Sequence, residues 1–231
     1  MIRRMAVRPL LAVSALALLA LAGCTADPLN VIILNARAPG SKCDFKDATL
    51  FVARGSLDFR PVPAPYVGAS AGYFQAFSWE NQMQPNPITV NGSTVDPGGG
   101  NDFIGDTMVY EYQYSDPSVS LPTETQNVRE AISAGGNPTD NYMGADLVQP
   151  GAFTTLNNTL GTTPQTLLVT FQMFGKTAGG TSKHTNKVSF PLAVYNSAPG
   201  VPITCPLGQV VDEGPCGVAG RDAPVGCVTS Q

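Results

Sequence analysis

Gly68-Ala69-Ser70-Ala71-Gly72 has the G-x-S-x-G spacing of a nucleophile elbow, and the only histidine of the chain, His184, lies downstream of it. An elbow works because a sharp strand-to-helix turn lifts the serine hydroxyl above a parallel sheet, where a histidine can take its proton. Here the pattern runs into Tyr73-Phe74-Gln75-Ala76-Phe77, which alternates as a strand does. The expected reading is therefore small residues in a loop that leads into a strand, with a serine esterase using Ser70 and His184 as a distant alternative. His184 itself lies in the polar stretch Thr181-Ser182-Lys183-His184-Thr185-Asn186, which predicts an exposed position near a hairpin tip.

Asp96, Asp102 and Asp106 bring three carboxylates, with Asn101, into a glycine-rich stretch, and flexible backbone with hard oxygen ligands is what calcium requires. The spacing is not that of an EF-hand and no glutamate closes it, so a solvated hairpin loop is expected and no metal site is assigned. Gly98-Gly99-Gly100 lacks the following G-K-[ST] of a phosphate loop, which removes nucleotide binding. Trp79 with Tyr110, Tyr112 and Tyr114 could form an aromatic platform for sugars, but aromatics at period two more often fill a sheet core. Asn91-Gly92-Ser93 and Asn157-Asn158-Thr159 read as turns. No catalytic residue and no cofactor are assigned.

Cysteines stand at positions 24, 43, 205, 216 and 227. No pair has C-x-x-C spacing and only one histidine is present, so zinc would need four thiolates, and disulfides are favoured among Cys43, Cys205, Cys216 and Cys227. If those four pair within the chain, Cys43 joins one of the other three in each of the three possible connectivities. Cys43 with Cys205 and Cys216 with Cys227 is the favoured arrangement, because Cys205 is nearest the last strand. The other two remain open.

The elements that must hold these residues read as strands. Val31 to Leu34 is a short apolar run, Leu50, Val52, Leu57 and Phe59 mark a second strand broken at Gly55, and Tyr73 to Trp79 and Met108 to Tyr114 alternate. Residues 128–148 favour strand or loop over helix. The clearest unit is a hairpin: Leu167, Val169, Phe171 and Met173 alternate with polar or outward positions, Thr177-Ala178-Gly179-Gly180 turns the chain, and Val188, Phe190, Leu192 and Val194 alternate again. Pro191 has no N–H to give to a ladder, so its strand should be bulged or at an edge there. Without convincing helices, the pattern predicts an all-β fold, an antiparallel β-sandwich, immunoglobulin-like or related, with a disulfide-stapled C-terminal tail that has no second core.

Charged residues make up only 13% of the 231, and 24 glycines with 20 prolines leave helices poorly supplied. Arg3, Arg4 and Arg8 precede an uncharged run from Pro9 to Leu21, the length of a signal peptide's apolar region and too short to span a bilayer. The run ends in Leu21-Ala22-Gly23-Cys24, which resembles the lipobox of bacterial lipoproteins. That resemblance implies cleavage before Cys24, a diacylglyceryl thioether on its sulfur, acylation of the new amino terminus with chains such as palmitate, and a stable membrane anchor. Thr25, in place of the aspartate that retains such proteins at the inner membrane, implies outer-membrane residence. Loss of the three N-terminal arginines leaves 13 − 3 = 10 basic against 17 acidic residues, a net charge of −7 that offers nothing to nucleic acid.

A wider set of features resembles uncharacterised myxobacterial lipoproteins: Ala53-Arg54-Gly55-Ser56-Leu57-Asp58 after an early Cys43, Glu80-Asn81-Gln82-Met83, Val188-Ser189-Phe190-Pro191, and the tail stretch Gly220-Arg221-Asp222-Ala223-Pro224-Val225-Gly226-Cys227. No activity comes with that resemblance. The chain then divides into a signal peptide at 1–23, a lipidated tether at 24–29, a β-sandwich domain at 30–196 and a Cys-rich tail at 197–231. The expected function is a lipid-anchored cell-envelope protein, not an enzyme, with a structural, adhesive or partner-binding role. The alternative is a module that binds envelope polysaccharide or a small ligand. Expected partners are the membrane, through acyl chains on Cys24, and an envelope protein or polysaccharide.

Overall fold

The computed structural model describes residues 29–40, 43–47, 49–96 and 99–230. The signal segment, Cys24 and nearly all of the tether lie outside the described residues. Two sheets make the body. Strands β1 (Val31–Ala36), β3 (Phe74–Asn81) and β8 (Tyr142–Asp146) form a small antiparallel sheet in the order β1-β3-β8. The larger sheet runs β2 (Gly55–Asp58), β11 (Val188–Tyr195), β9 (Gln165–Thr177), β6 (Phe103–Tyr114), β7 (Glu124–Ile132), and β10 (Ser182–His184) also pairs with β9. All of these pairs are antiparallel except β2 with β11. Two short hairpins complete the strands: β4 (Ile88–Val90) with β5 (Ser93–Asp96), and β12 (Gln209–Val211) with β13 (Cys227–Thr229).

The sheets close on each other through the alternating apolar positions. Phe77 of β3 meets the ring of Phe171 of β9 edge-on at 4.8 Å, and Trp79 meets Phe103 of β6 at 6.3 Å. Leu167, Val169, Phe171, Met173, Phe190, Leu192 and Val194 are all buried, which is the apolar hairpin face expected from their period of two. Each fully buried side chain of this size contributes about 1.5–3 kcal/mol. Pro191 pairs opposite Leu168, and β2 joins β11 only from Leu192 onward, so the strand has an open edge at the proline.

Three features depart from the sequence expectation. A helix, α1 (Pro150–Thr159), follows β8, and it contains Asn157, Asn158 and Thr159, which are therefore not a turn. It starts with Pro150 in the first turn, and the Glu124 carboxylate of β7 accepts the N–H groups of Gly151 and Ala152, each at 2.8 Å. A carboxylate at that end satisfies otherwise unpaired donors and opposes the helix dipole. The tail carries a small apolar cluster of its own, Ile203, Val211, Ala219 and Val225, packed with Val62 and Tyr66. The bridges are Cys43–Cys216 and Cys205–Cys227, with Cα separations of 5.1 and 5.7 Å, rather than Cys43 with Cys205 and Cys216 with Cys227. The second bridge fastens the start of β13 to the segment before β12, an arrangement that pairing of Cys216 with Cys227 would break.

Candidate functional site

An open cleft of about 260 Å³ lies between the segment after β2, the loop before β3 and α1. Its floor is a stacked ring pair, Phe59 and Phe153, with centroids 5.3 Å apart and planes inclined by 14°. Pro61, Val62 and Tyr66 form one wall, in a stretch where Pro61, Pro63 and Pro65 fix the backbone φ. Arg60, Ser70 and Asn157 supply the polar groups. Arg60 is held at both ends, its N–H donating to Asp58 Oδ1 at 3.0 Å and its Nε to Val201 O at 3.3 Å. A flat apolar floor with a guanidinium, a hydroxyl and an amide at the rim suits a small ligand or a sugar ring bearing an anionic group.

Beside the cleft, the tail is clasped onto the body. Asp58, fully buried, accepts N–H groups from Arg60, Ser197 and Val225. Asp58 N donates to Gly220 O, Asp222 N to Ser56 O, and Ser56 N to Asp222 Oδ1. The stretches at 55–58 and 220–225, which the sequence marks separately, thus lie against each other. Arg221 is buried with its guanidinium carbon 4.7 Å above the ring of Tyr73, and the Tyr73 hydroxyl donates to the Asp222 carboxylate at 2.9 Å. Burial, followed by the Asp222 charge, pushes the Tyr73 phenol well above its usual range, so it remains a neutral donor.

Two further polar centres carry no sequence signal. Arg37 is buried and donates to Ser78 Oγ at 2.8 Å and to the carbonyls of Phe45, Thr139 and Asn141 at 2.9, 3.1 and 2.9 Å, and also to Pro138 O. Its acceptors are mostly backbone, which residue types do not reveal. Asp146, at the end of β8, has its carboxyl pushed up to about 6 by burial, and Oδ1 has no hydrogen-bond partner. Gly72, at φ +79°, permits the approach, since a Cβ there would lie 2.0 Å from that oxygen.

The predicted residues separate into distinct places. Ser70 is exposed on a single 3-10 turn, Ala69–Ala71, that leads into a strand rather than a helix. The residues lining the cleft beside it include no histidine. His184 is exposed in β10, its Nδ1 3.0 Å from both Gln172 Nε2 and Thr185 O. Asp102 Oδ1 accepts the N–H of Ala134 at 2.8 Å and Asp106 is exposed within β6, and among the described residues no group of three acidic, cysteine or histidine side chains could hold a metal ion. Trp79 and Tyr110 are buried in the core, which leaves no aromatic platform there. Cys43, Cys205, Cys216 and Cys227 form the two bridges, and Cys24 lies outside the described residues. No helix among the described residues is long and apolar enough to cross a membrane. No protein-family model, curated protein or solved structure matches the chain.

Proposed function

We propose that the chain is a lipid-anchored protein of the cell envelope, acylated at Cys24 and resident at the outer membrane, with a non-enzymatic structural, adhesive or partner-binding role. The observation that carries this reading is the allocation of cysteines. The two bridges take up Cys43, Cys205, Cys216 and Cys227, so the odd thiol falls on Cys24, at the end of Leu21-Ala22-Gly23-Cys24. Disulfides that staple the tail suit an oxidising compartment outside the cytosol. Fractionation of cells carrying Cys24→Ser tests it: the variant is expected to leave the membrane and remain folded, whereas retention on the membrane would contradict the proposal.

The cleft favours a second reading, binding of envelope polysaccharide or a small ligand, because an aromatic floor and Arg60, Ser70 and Asn157 converge there. Saturation-transfer NMR with acidic oligosaccharides should show contacts that Phe153→Ala removes. An esterase using Ser70 and His184 draws little support from an exposed serine beside a cleft whose lining has no histidine.

A further inference from the structure

The hairpin β4–β5 stands off the body. Its two strands pair with each other and with no other strand among the described residues, and every residue from Ile88 to Val95 is exposed. Asn91 and Gly92, at φ +50° and +79°, make the two-residue turn whose twist matches the strands. A two-stranded hairpin alone in water is marginal. This one nevertheless presents Ile88, Val90 and Val95 to solvent, at 46%, 53% and 60% exposure. Ile88 and Val90 share one face of β4, opposite Thr89, and Val95 stands at the irregularity where the pairing shifts by one residue between Thr89↔Thr94 and Ile88↔Asp96. From Pro85 to Val95 there is no ionisable side chain, and Asp96, paired with Ile88, closes the hairpin at its base.

The base of the hairpin is fixed at the end of the molecule where the tether arrives. Gln82 N donates to Asn30 O at 2.7 Å, Asn101 Nδ2 to Gln84 O at 2.8 Å, and Gly100 N to Asn86 O at 3.2 Å. Gly99, at φ +62°, allows this closure, since a Cβ there would lie 1.7 Å from Asn86 O. Six peptide units separate Cys24 from Asn30, a reach of about 20 Å even when fully extended. Leu29, also exposed, lies on that path. An acylated Cys24 therefore holds this end close to the bilayer.

We propose that the β4–β5 hairpin is a second membrane contact, its exposed Ile88, Val90 and Val95 side chains seated in the headgroup and acyl boundary of the membrane that holds the acyl chains of Cys24. The orientation rests on the anchor reading above. With a mature net charge of −7, the contact draws on apolar burial rather than on attraction to anionic lipid, so neutral phosphatidylcholine suffices. Two contacts at one end fix the domain's tilt.

The test places Val90→Trp in the acylated protein, reconstituted in vesicles of phosphatidylcholine brominated on the acyl chains. The native Trp79 is buried, and its emission is measured in the parent. A side chain seated about 5–10 Å into the boundary should shift to the blue and lose about half its emission to the bromines. An introduced indole that emits as in water and is not quenched overturns the proposal. A second arm uses Cys24→Ser with a hexahistidine tag before Thr25, held on nickel-chelating vesicles of the same lipid. Quenching there, with no acylation of Cys24 in cells, removes the anchor reading and leaves the hairpin contact standing. Absence of quenching together with a dimer in sedimentation that Val90→Asp dissolves would assign the hairpin to a second copy and overturn the proposal.

Discussion

The Val225 N–H donates to Asp58 Oδ2 at 2.9 Å across 167 residues of sequence, and it is one of three backbone donors that converge on this buried carboxylate. Asp58 thereby ties together the chain leaving β2, the chain leaving β11, and the tail. Asp58→Ala leaves all three donors without this acceptor, the Val225 N–H buried and the other two partly so. A loss of about 3–5 kcal/mol in denaturant unfolding is expected, with Asp58→Asn losing less because it keeps one acceptor oxygen. A change under about 1 kcal/mol would show that water or rearrangement replaces the carboxylate.

The two bridges should differ in weight. Cys43–Cys216 spans 173 residues and Cys205–Cys227 spans 22. In the chain-entropy account, closing loops of those lengths is worth about 5 and about 3 kcal/mol, respectively. Cys43 and Cys216 both adopt left-handed backbone, at φ +57° and +66°, which offsets part of the advantage. The paired serine variant of Cys43 and Cys216 is expected to lower the unfolding midpoint more than that of Cys205 and Cys227. The reverse order would mean that the long bridge acts chiefly through native strain. Peptide mapping without reduction should recover these two pairings and no others.

Asp146 gives the fold a pH dependence of known sign. Its carboxyl, ordinarily at 3.8, is raised to about 6 by burial. Between those values the folded chain keeps a proton that the unfolded chain releases. The group's favourable contribution is therefore complete below about pH 4 and is lost as pH rises through about 6. Asp146→Asn is never charged and should remove this slope, unfolding later than the parent at about pH 8 and nearly level with it at about pH 4. An unchanged profile would show that Asp146 is solvated in solution.

The strands were legible because each carries its own signal: 167–174 and 188–195 alternate strictly, and the alternation maps onto buried and exposed faces. Helix α1 was not legible. Gly151, Thr154, Thr155, Asn157 and Asn158 are weak helix formers, and what holds its start is Glu124, 27 residues earlier than the Gly151 donor. The bridge pairing was hidden by the even spacing of Cys205, Cys216 and Cys227, since only the β12–β13 hairpin decides which of them faces Cys43. The clasp lay half in view. The stretches at 55–58 and 220–227 stood out as motifs, but their mutual contact is made by backbone groups and two aspartates, and nothing in local sequence shows which distant segment a backbone donor will meet. Arg37 was invisible for the same reason.

Mass analysis of the protein extracted from cell membranes, with sequencing of its N-terminal peptide, tests the central claim most directly. The account predicts a mature chain that begins at Cys24, with a diacylglyceryl group on the sulfur and an acyl group on the amino terminus. A chain that retains residues 1–23, or one cut elsewhere with Cys24 as a free thiol or bridged to another cysteine, would contradict it.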